Sequence, residues 1–356
     1  MLNWPPGRPR TLTRGAERLS RRGWVIPTAA LGLAVVGRAV LPRLRQADLR
    51  GQVALVTGSS RGLGLALARE LARQGCRVVL CARRADELER ARRDVEQLGA
   101  EVLAVTCDIS DRQQVDRLVQ QATERFGRID VLVNNAGVIT VGPLATQTIE
   151  DFEQAMAVMF WGVVYPTYAV LPQMRARRSG RIAIVTSIGG KISVPHLVPY
   201  GAAKFAAVGF SEGLRAELAR EGIRVTTIVP GLMRTGSHLN AEFKGQHAKE
   251  FLWFSLGASL PVTSISAADA ARQIVGAIKR GDAEVILSWQ AGVLARVHGL
   301  LPGLTSDVLA VVNRILPGPG GIGSQRATGQ QSRSRLTDSP LEALGQRAAR
   351  DLNQLG

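Results

Sequence analysis

Tyr200 and Lys204, in the stretch "PYGAAKF", stand four residues apart, so a helix would present both on one face. A phenol ordinarily loses its proton near pH 10 and is a poor acid or base at neutral pH. A cation about 5 Å away, at an effective dielectric of ~20, is worth roughly 3 kcal/mol, or about 2.4 pKa units. That would bring the phenol to between roughly 7 and 8, where general acid–base catalysis works best. Taken alone, the two residues equally describe a solvated pair. The elements around them have to decide.

A second candidate lies near the start of the regular part of the chain. "TGSSRGLG", Thr57 to Gly64, follows the apolar run "VALVT" and leads into "LALARELARQG". Gly58, Gly62 and Gly64, with Ser60, Arg61 and Leu63 between them, sit where a strand turns into a helix. There a backbone can approach a pyrophosphate, and the helix N-terminus offers amide donors. No Lys-Ser/Thr follows the last glycine, which excludes a nucleotide triphosphatase loop. The second apolar run ends "CARR", with Arg83 and Arg84, where a carboxylate would select an unphosphorylated ribose. Arg61 and Arg83 therefore favour NADP(H) over NAD(H).

The elements needed to hold these residues are legible. Short β-rich runs begin at residues 53, 77, 101, 130, 181, 223 and 284, separated by helical stretches such as "RADELERARRDVEQLG". Near-continuous apolar strands alternating with helices indicate a parallel sheet covered on both faces. The expected fold is a doubly wound α/β Rossmann fold with a single catalytic domain over residues 46–290. The three cysteines, Cys76, Cys81 and Cys107, form no CxxC pair, and their odd count suits buried thiols in a reducing compartment. No metal constellation is present in the sequence.

The net charge is +16 over 356 residues, but residues 1–50 carry ten arginines against Glu17 and Asp48. With half the excess in one arm and no zinc spacing or basic-aromatic cluster, nucleic acid is not an expected partner. The arm contains "WVIPTAALGLAVVGRAVL", apolar except for Arg38 and flanked by arginines. Its length is marginal for a span and suits an anchor or an interfacial helix. A helix packed on the protein itself, which would leave the chain cytoplasmic, and an export signal are the other readings. Residues 291–316 form an apolar extension that could dip into the same interface. The Gly/Pro/Ser/Arg-rich tail, residues 317–356, has the composition of a disordered segment.

Over about residues 50–290 the chain resembles the short-chain dehydrogenase/reductase family. The likeness rests on Thr57-Gly58-x-x-x-Gly62-x-Gly64, "NNAG" at 134–137, Ser187 thirteen residues before Tyr200, Tyr200-x-x-x-Lys204, and "PGLMRT" at 230–235. "GKISVP" and "AAKFA" look closest to the branch acting on lipid-like alcohols and ketones. The resemblance implies that Asp108 and Ile109 hold the adenine and that Asn135, Ala136 and Gly137 line the cofactor cleft. It implies Tyr200 as general acid or base, Ser187 on the substrate oxygen and Lys204 on the nicotinamide ribose. Pro230, Gly231, Met233 and Thr235 would meet the carboxamide, and a homo-oligomer would be expected.

The expected reaction is hydride transfer between NADP(H) and a lipophilic ketone, aldehyde or secondary alcohol. Phe243, Phe251, Leu252, Trp253 and Phe254 are expected to line the pocket lid, with His238 and His247 at its surface or within it. One departure matters. In "VMFWG", Met159 falls where the family usually carries an asparagine, which holds a water linking the lysine to solvent. A thioether accepts only weakly and has no donor. This leaves a second reading, a cofactor-binding sensor or scaffold with little turnover.

Overall fold

The computed structural model describes residues 46–259, 264–333 and 340–355; the basic arm of residues 1–45, with its apolar run, lies outside the described residues. Seven strands, β1 (Val53–Thr57), β2 (Arg77–Ala82), β3 (Val102–Thr106), β4 (Val131–Asn134), β5 (Gly180–Val185), β6 (Ile223–Val229) and β7 (Glu284–Ile286), make one sheet. Its order is β7-β6-β5-β4-β1-β2-β3, and every neighbouring pair is parallel. The order reverses between β1 and β4. Chains leaving those two strands diverge and open a crevice at the strands' carboxyl ends.

Helices cover both faces, as continuous apolar strands require. On one face α1 (Gly62–Arg73), α2 (Ala85–Glu96) and α8 (Ala267–Arg280) bury Leu67, Leu71, Val95 and Ile274. On the other, α3 (Arg112–Phe126), α5 (Gly162–Arg177) and α6 (Val198–Leu218) bury Leu118, Phe126, Leu171 and Ala207. Helix α3 shows why boundaries fall where they do. The Asp111 carboxylate accepts from the amides of Gln113 and Gln114 at its start, and Gly127 ends it at φ 81°.

Between α4 (Ile149–Met156) and α5, residues Ala157–Trp161 form a π-helical turn. The whole run Ile149–Arg177 has a mean hydropathy of 1.4 and is, among the described residues, the one helix long and apolar enough to cross a membrane. Half of that window is buried in this protein, on the sheet.

Beyond β6 the structure departs from expectation twice. Residues 317–356 were expected to be disordered, yet the described part folds onto the domain. Ala327–Thr328 pairs with Glu242–Phe243, which in turn pairs with Thr140–Val141. Arg326 reaches Asp151 at 2.7 Å and Glu242 at 3.1 Å, and α11 (Pro340–Asp351) buries Ala349 beside Leu239 and Phe251. Composition missed this because the ordering comes from distant partners. The second departure is the lid helix α7 (His247–Ser259): Phe243 and Phe251 are fully buried against Val141, Leu239, Ala241 and Ala349. They form a small core of their own.

Candidate active site

Every catalytic and cofactor-site residue named from the sequence lines a single cleft of about 360 Å³ at the crevice. Its floor is set by glycines. A Cβ on Gly58 would lie 2.7 Å from the Ala136 Cα, and one on Gly64 would lie 2.6 Å from the Asn135 Nδ2. Gly58 and Gly62 also adopt φ values of 63° and 59°, open to glycine at no cost. Asn135 ties the loop down, its Nδ2 donating to the carbonyls of Thr57 at 3.0 Å and Gly58 at 3.2 Å. The loop opens onto the N-terminus of α1, where backbone amides favour an anion. Asp108 and Ile109 follow β3 at the cleft's edge, with the Asp108 carboxylate accepting from Ser110. These residues fit a dinucleotide.

At one end of the cleft arginines cluster. Arg61 donates to Glu87 at 3.2 Å and to the Asn240 Oδ1 at 3.1 Å, while Arg84 pairs with Glu87 and Asp86. Burial lowers the Arg61 pKa; Glu87 opposes this, and the guanidinium groups of Arg84 and Arg83 add to it. Glu87 itself is buried and also accepts from the Ser60 hydroxyl. Sequence reasoning missed Glu87. The signal was an acid three residues beyond Arg84 in a helix's first turn, where carboxylates are favoured.

At the other end stand Ser187, Tyr200 and Lys204. Ser187 leaves β5 and its Oγ accepts from the Gly189 amide at 3.0 Å; the same hydroxyl and the Tyr200 ring both border Gly189. Gly189 is required there, since a Cβ would lie 2.9 Å from the Tyr200 ring. Helix α6 carries Tyr200 and Lys204 on one face, and the Lys204 Nζ lies 5.8 Å from the Tyr200 ring centroid. Lys204 is buried, donates to the Val185 carbonyl at 2.9 Å, and has its pKa pulled down to about 8 by burial. Burial pushes the Tyr200 phenol up, and the Ser187 hydroxyl only partly opposes it. The expected phenol between 7 and 8 is therefore corrected. The lysine loses its own charge in the same pH range, so it is a weaker field source than a permanent cation.

The Ile188 amide bonds the Pro230 carbonyl, placing residues 230–235 across from the triad, with Met233 and Thr235 on the cleft wall. Val138, Ile139, Val158 and Ala241 line the remainder. Phe243, Phe251, Leu252, Trp253 and Phe254 do not, which corrects the expected aromatic lining: the four aromatic rings pack with one another and with Ala349 of α11. His238 is buried, not at the surface, and its Nε2 has no partner among the described residues. Met159 is buried in the π-helical turn; its Sδ and the Lys204 Nζ lie 3.7 and 3.9 Å from where a Cβ on Gly137 would be. A thioether thus stands beside the lysine. Among the described residues no group of acids, histidines and cysteines could hold a metal.

Comparison with known proteins agrees with this geometry. The sequence profile described as short chain dehydrogenase matches residues 52–244. A dehydrogenase/reductase SDR family protein 7-like of Anopheles gambiae is 38% identical over 278 residues, 74% of this chain and 86% of its own. A putative ketoacyl reductase of Streptomyces coelicolor is 40% identical over 186 residues, 52% of this chain and 71% of its own. Among solved structures, a point variant of actinorhodin polyketide ketoreductase with NADPH is 31% identical. It superposes with a TM-score of 0.61 over 68% of this chain and 97% of that one.

Proposed function

The chain belongs to the short-chain dehydrogenase/reductase family and is an oxidoreductase, and from that premise we propose that it reduces a lipophilic ketone or aldehyde with NADPH, Tyr200 supplying the proton. The observation that carries this reading is the cleft's polarity. An arginine cluster stands at one end and a protonated phenol beside a buried lysine at the other.

Three guanidinium groups that repel one another are relieved by an added anion, which a 2′-phosphate provides and a bare ribose does not. Gly58, Ser60 and Leu63 would hold the diphosphate, Asp108 and Ile109 the adenine, and Lys204 the nicotinamide ribose. When bound, the reduced nicotinamide supplies the hydride. Tyr200, whose pKa lies above its usual value, is protonated at neutral pH and so acts as the acid. Ser187, beside Tyr200, orients the carbonyl oxygen and donates to it as negative charge develops. Lys204 holds its charge below about pH 8 and supports the phenolate that remains. Val138, Ile139, Val158 and Met233 give the substrate an apolar wall.

Membrane association belongs to the same reading. Helices α9 (Trp289–Leu300) and α10 (Pro302–Asn313) expose Trp289, Leu294, Leu300, Leu304 and Val308, and Ile315 beyond them is 83% exposed. Arg296 and Arg314 accompany this apolar surface. It suits an anionic lipid interface, in company with the arginine-flanked apolar run of residues 24–41. The full chain should float with phosphatidylserine-containing vesicles, and Leu300→Asp with Leu304→Asp should weaken that binding.

Purified full-length protein, given a panel of lipophilic carbonyls with NADPH and separately with NADH, tests the enzymatic reading. NADPH consumption well ahead of NADH is expected. Tight cofactor binding without turnover on any substrate would favour a sensor or scaffold instead.

A further inference from the structure

The end of the chain lies over the glycine loop. The Leu352 carbonyl accepts from the Gly62 amide at 2.9 Å, using one of the N-terminal donors of α1. Asn353, at φ 57°, donates from Nδ2 to the carbonyls of Ser60 at 2.9 Å and Glu87 at 3.1 Å. Its Oδ1 accepts from Arg90, and the Asp351 carbonyl accepts from Arg69. Gln354 follows, 4% exposed, on the wall of the cleft.

The orientation of the Gln354 amide can be deduced. The Arg61 guanidinium can only donate, so Asn240 must meet it with Oδ1, 3.1 Å away. That turns the Asn240 Nδ2 toward Gln354, whose Oε1 accepts at 2.7 Å and whose backbone carbonyl accepts at 3.0 Å. The Gln354 Nε2 is thereby turned away from Asn240. It comes to lie 2.7 Å from where a Cβ on Gly62 would be. No partner for it is found among the described residues. The residue is 4% exposed, and its unpartnered donor opens onto the cleft beside a helix N-terminus, where it can take an acceptor. An anionic oxygen satisfies both the donor and the helix dipole.

We infer that residues 351–354 are part of the cofactor site, with the Gln354 Nε2 donating to the diphosphate of a bound dinucleotide. This rests on the nucleotide reading above but not on the choice between NADPH and NADH. The strap ties the C-terminal residues to the loop from outside, at Gly62, Ser60 and Glu87. A donor held on the diphosphate from this strap would slow dinucleotide release. One of its partners, Glu87, belongs to the arginine cluster at the cleft's end, and Asn240 joins Arg61 of that cluster to Gln354. The strap therefore couples the diphosphate and ribose ends of the site.

The test is dinucleotide affinity and release, read by NADPH and NADH fluorescence in titration and stopped flow. The proteins are the full chain, Gln354→Leu, and a chain ending after Arg350. Gln354→Leu should weaken binding about tenfold, the worth of one donor to a charged group. Release should quicken by a similar factor. The shortened chain should lose more. Should it not fold, the point variant decides alone. Binding by Gln354→Leu that equals or exceeds wild type overturns the inference, the latter marking the strap as a plug. Wild type that binds NADH and not NADPH overturns only the cofactor preference. Wild type that binds neither overturns the nucleotide reading and this inference together.

Discussion

Two lysines are buried, Lys244 and Lys204, and their surroundings differ in one respect. Lys244 is 1% exposed and ion-paired with Asp151, whose other oxygen takes Arg326 at 2.7 Å. Burial would raise the Asp151 carboxyl, but the bonds from Lys244 and the Thr148 amide outweigh it and hold it low. Lys204 is 5% exposed and donates to a backbone carbonyl at 2.9 Å, and among the described residues no carboxylate pairs with it. Its pKa falls to about 8. The paired lysine fastens α4 and the C-terminal segment to the lid. The unpaired one carries a cost that only a function explains.

Substitution should separate the two. Asp151→Ala leaves the Lys244 charge uncompensated and should cost about 3–5 kcal/mol, read as a lower denaturant midpoint. Lys204→Met removes a buried charge that has no partner; its unfolding midpoint should hold or rise, while turnover falls about 100-fold or more. Reversed outcomes for the pair would break the comparison.

His238 is a second uncompensated group, in the lid. Burial, with Arg333 adding to it, lowers its pKa to about 4. A histidine whose folded-state pKa is depressed leaves stability complete above its unfolded value of about 6.5 and loses it as pH falls toward 4. Over that window the domain should lose roughly 3 kcal/mol to this one group. Acid unfolding curves of His238→Leu should show a smaller loss between those pH values. An unchanged curve would mean the ring finds a proton acceptor.

Smaller effects sharpen the catalytic side. Lys204 deprotonates near pH 8 and Tyr200 above its ordinary value, so the rate of carbonyl reduction should be flat below about 8 and fall above it. A plateau extending to pH 10 would remove Lys204 from the mechanism. Met159→Asn, beside the lysine, should alter turnover only a few-fold, less than about 1 kcal/mol. Turnover that appears only in that variant would favour the sensor reading.

What the sequence disclosed divides along the same line. β1 and β6 match their expected limits at Val53–Thr57 and Ile223–Val229, because a strand buried along nearly all its length is written in its own residues. The glycine loop and the pair on α6 were visible for the same reason: a tight turn and one helical turn are local. The partners of Arg61 were not local. Asn240, which accepts from it, lies 179 positions away, and Gln354, which Asn240 reaches in turn, lies 293 away; nothing in either neighbourhood marks them. Phe243 and Phe251 were read as lining because composition gives apolarity but not direction. The tail around Arg326 has a disordered composition and takes its order from Asp151 and Glu242.

The central claim, hydride delivered from NADPH to a carbonyl carbon with Tyr200 as the acid, is met most directly by isotope transfer. The full chain would be given a turned-over lipophilic ketone and NADPH doubly deuterated at the nicotinamide C4, and the alcohol analysed by mass spectrometry. One deuterium at the carbinol carbon is predicted, with formation slowed about 10²–10⁴-fold in Tyr200→Phe. An alcohol without deuterium, or one formed equally fast by Tyr200→Phe, would contradict the account.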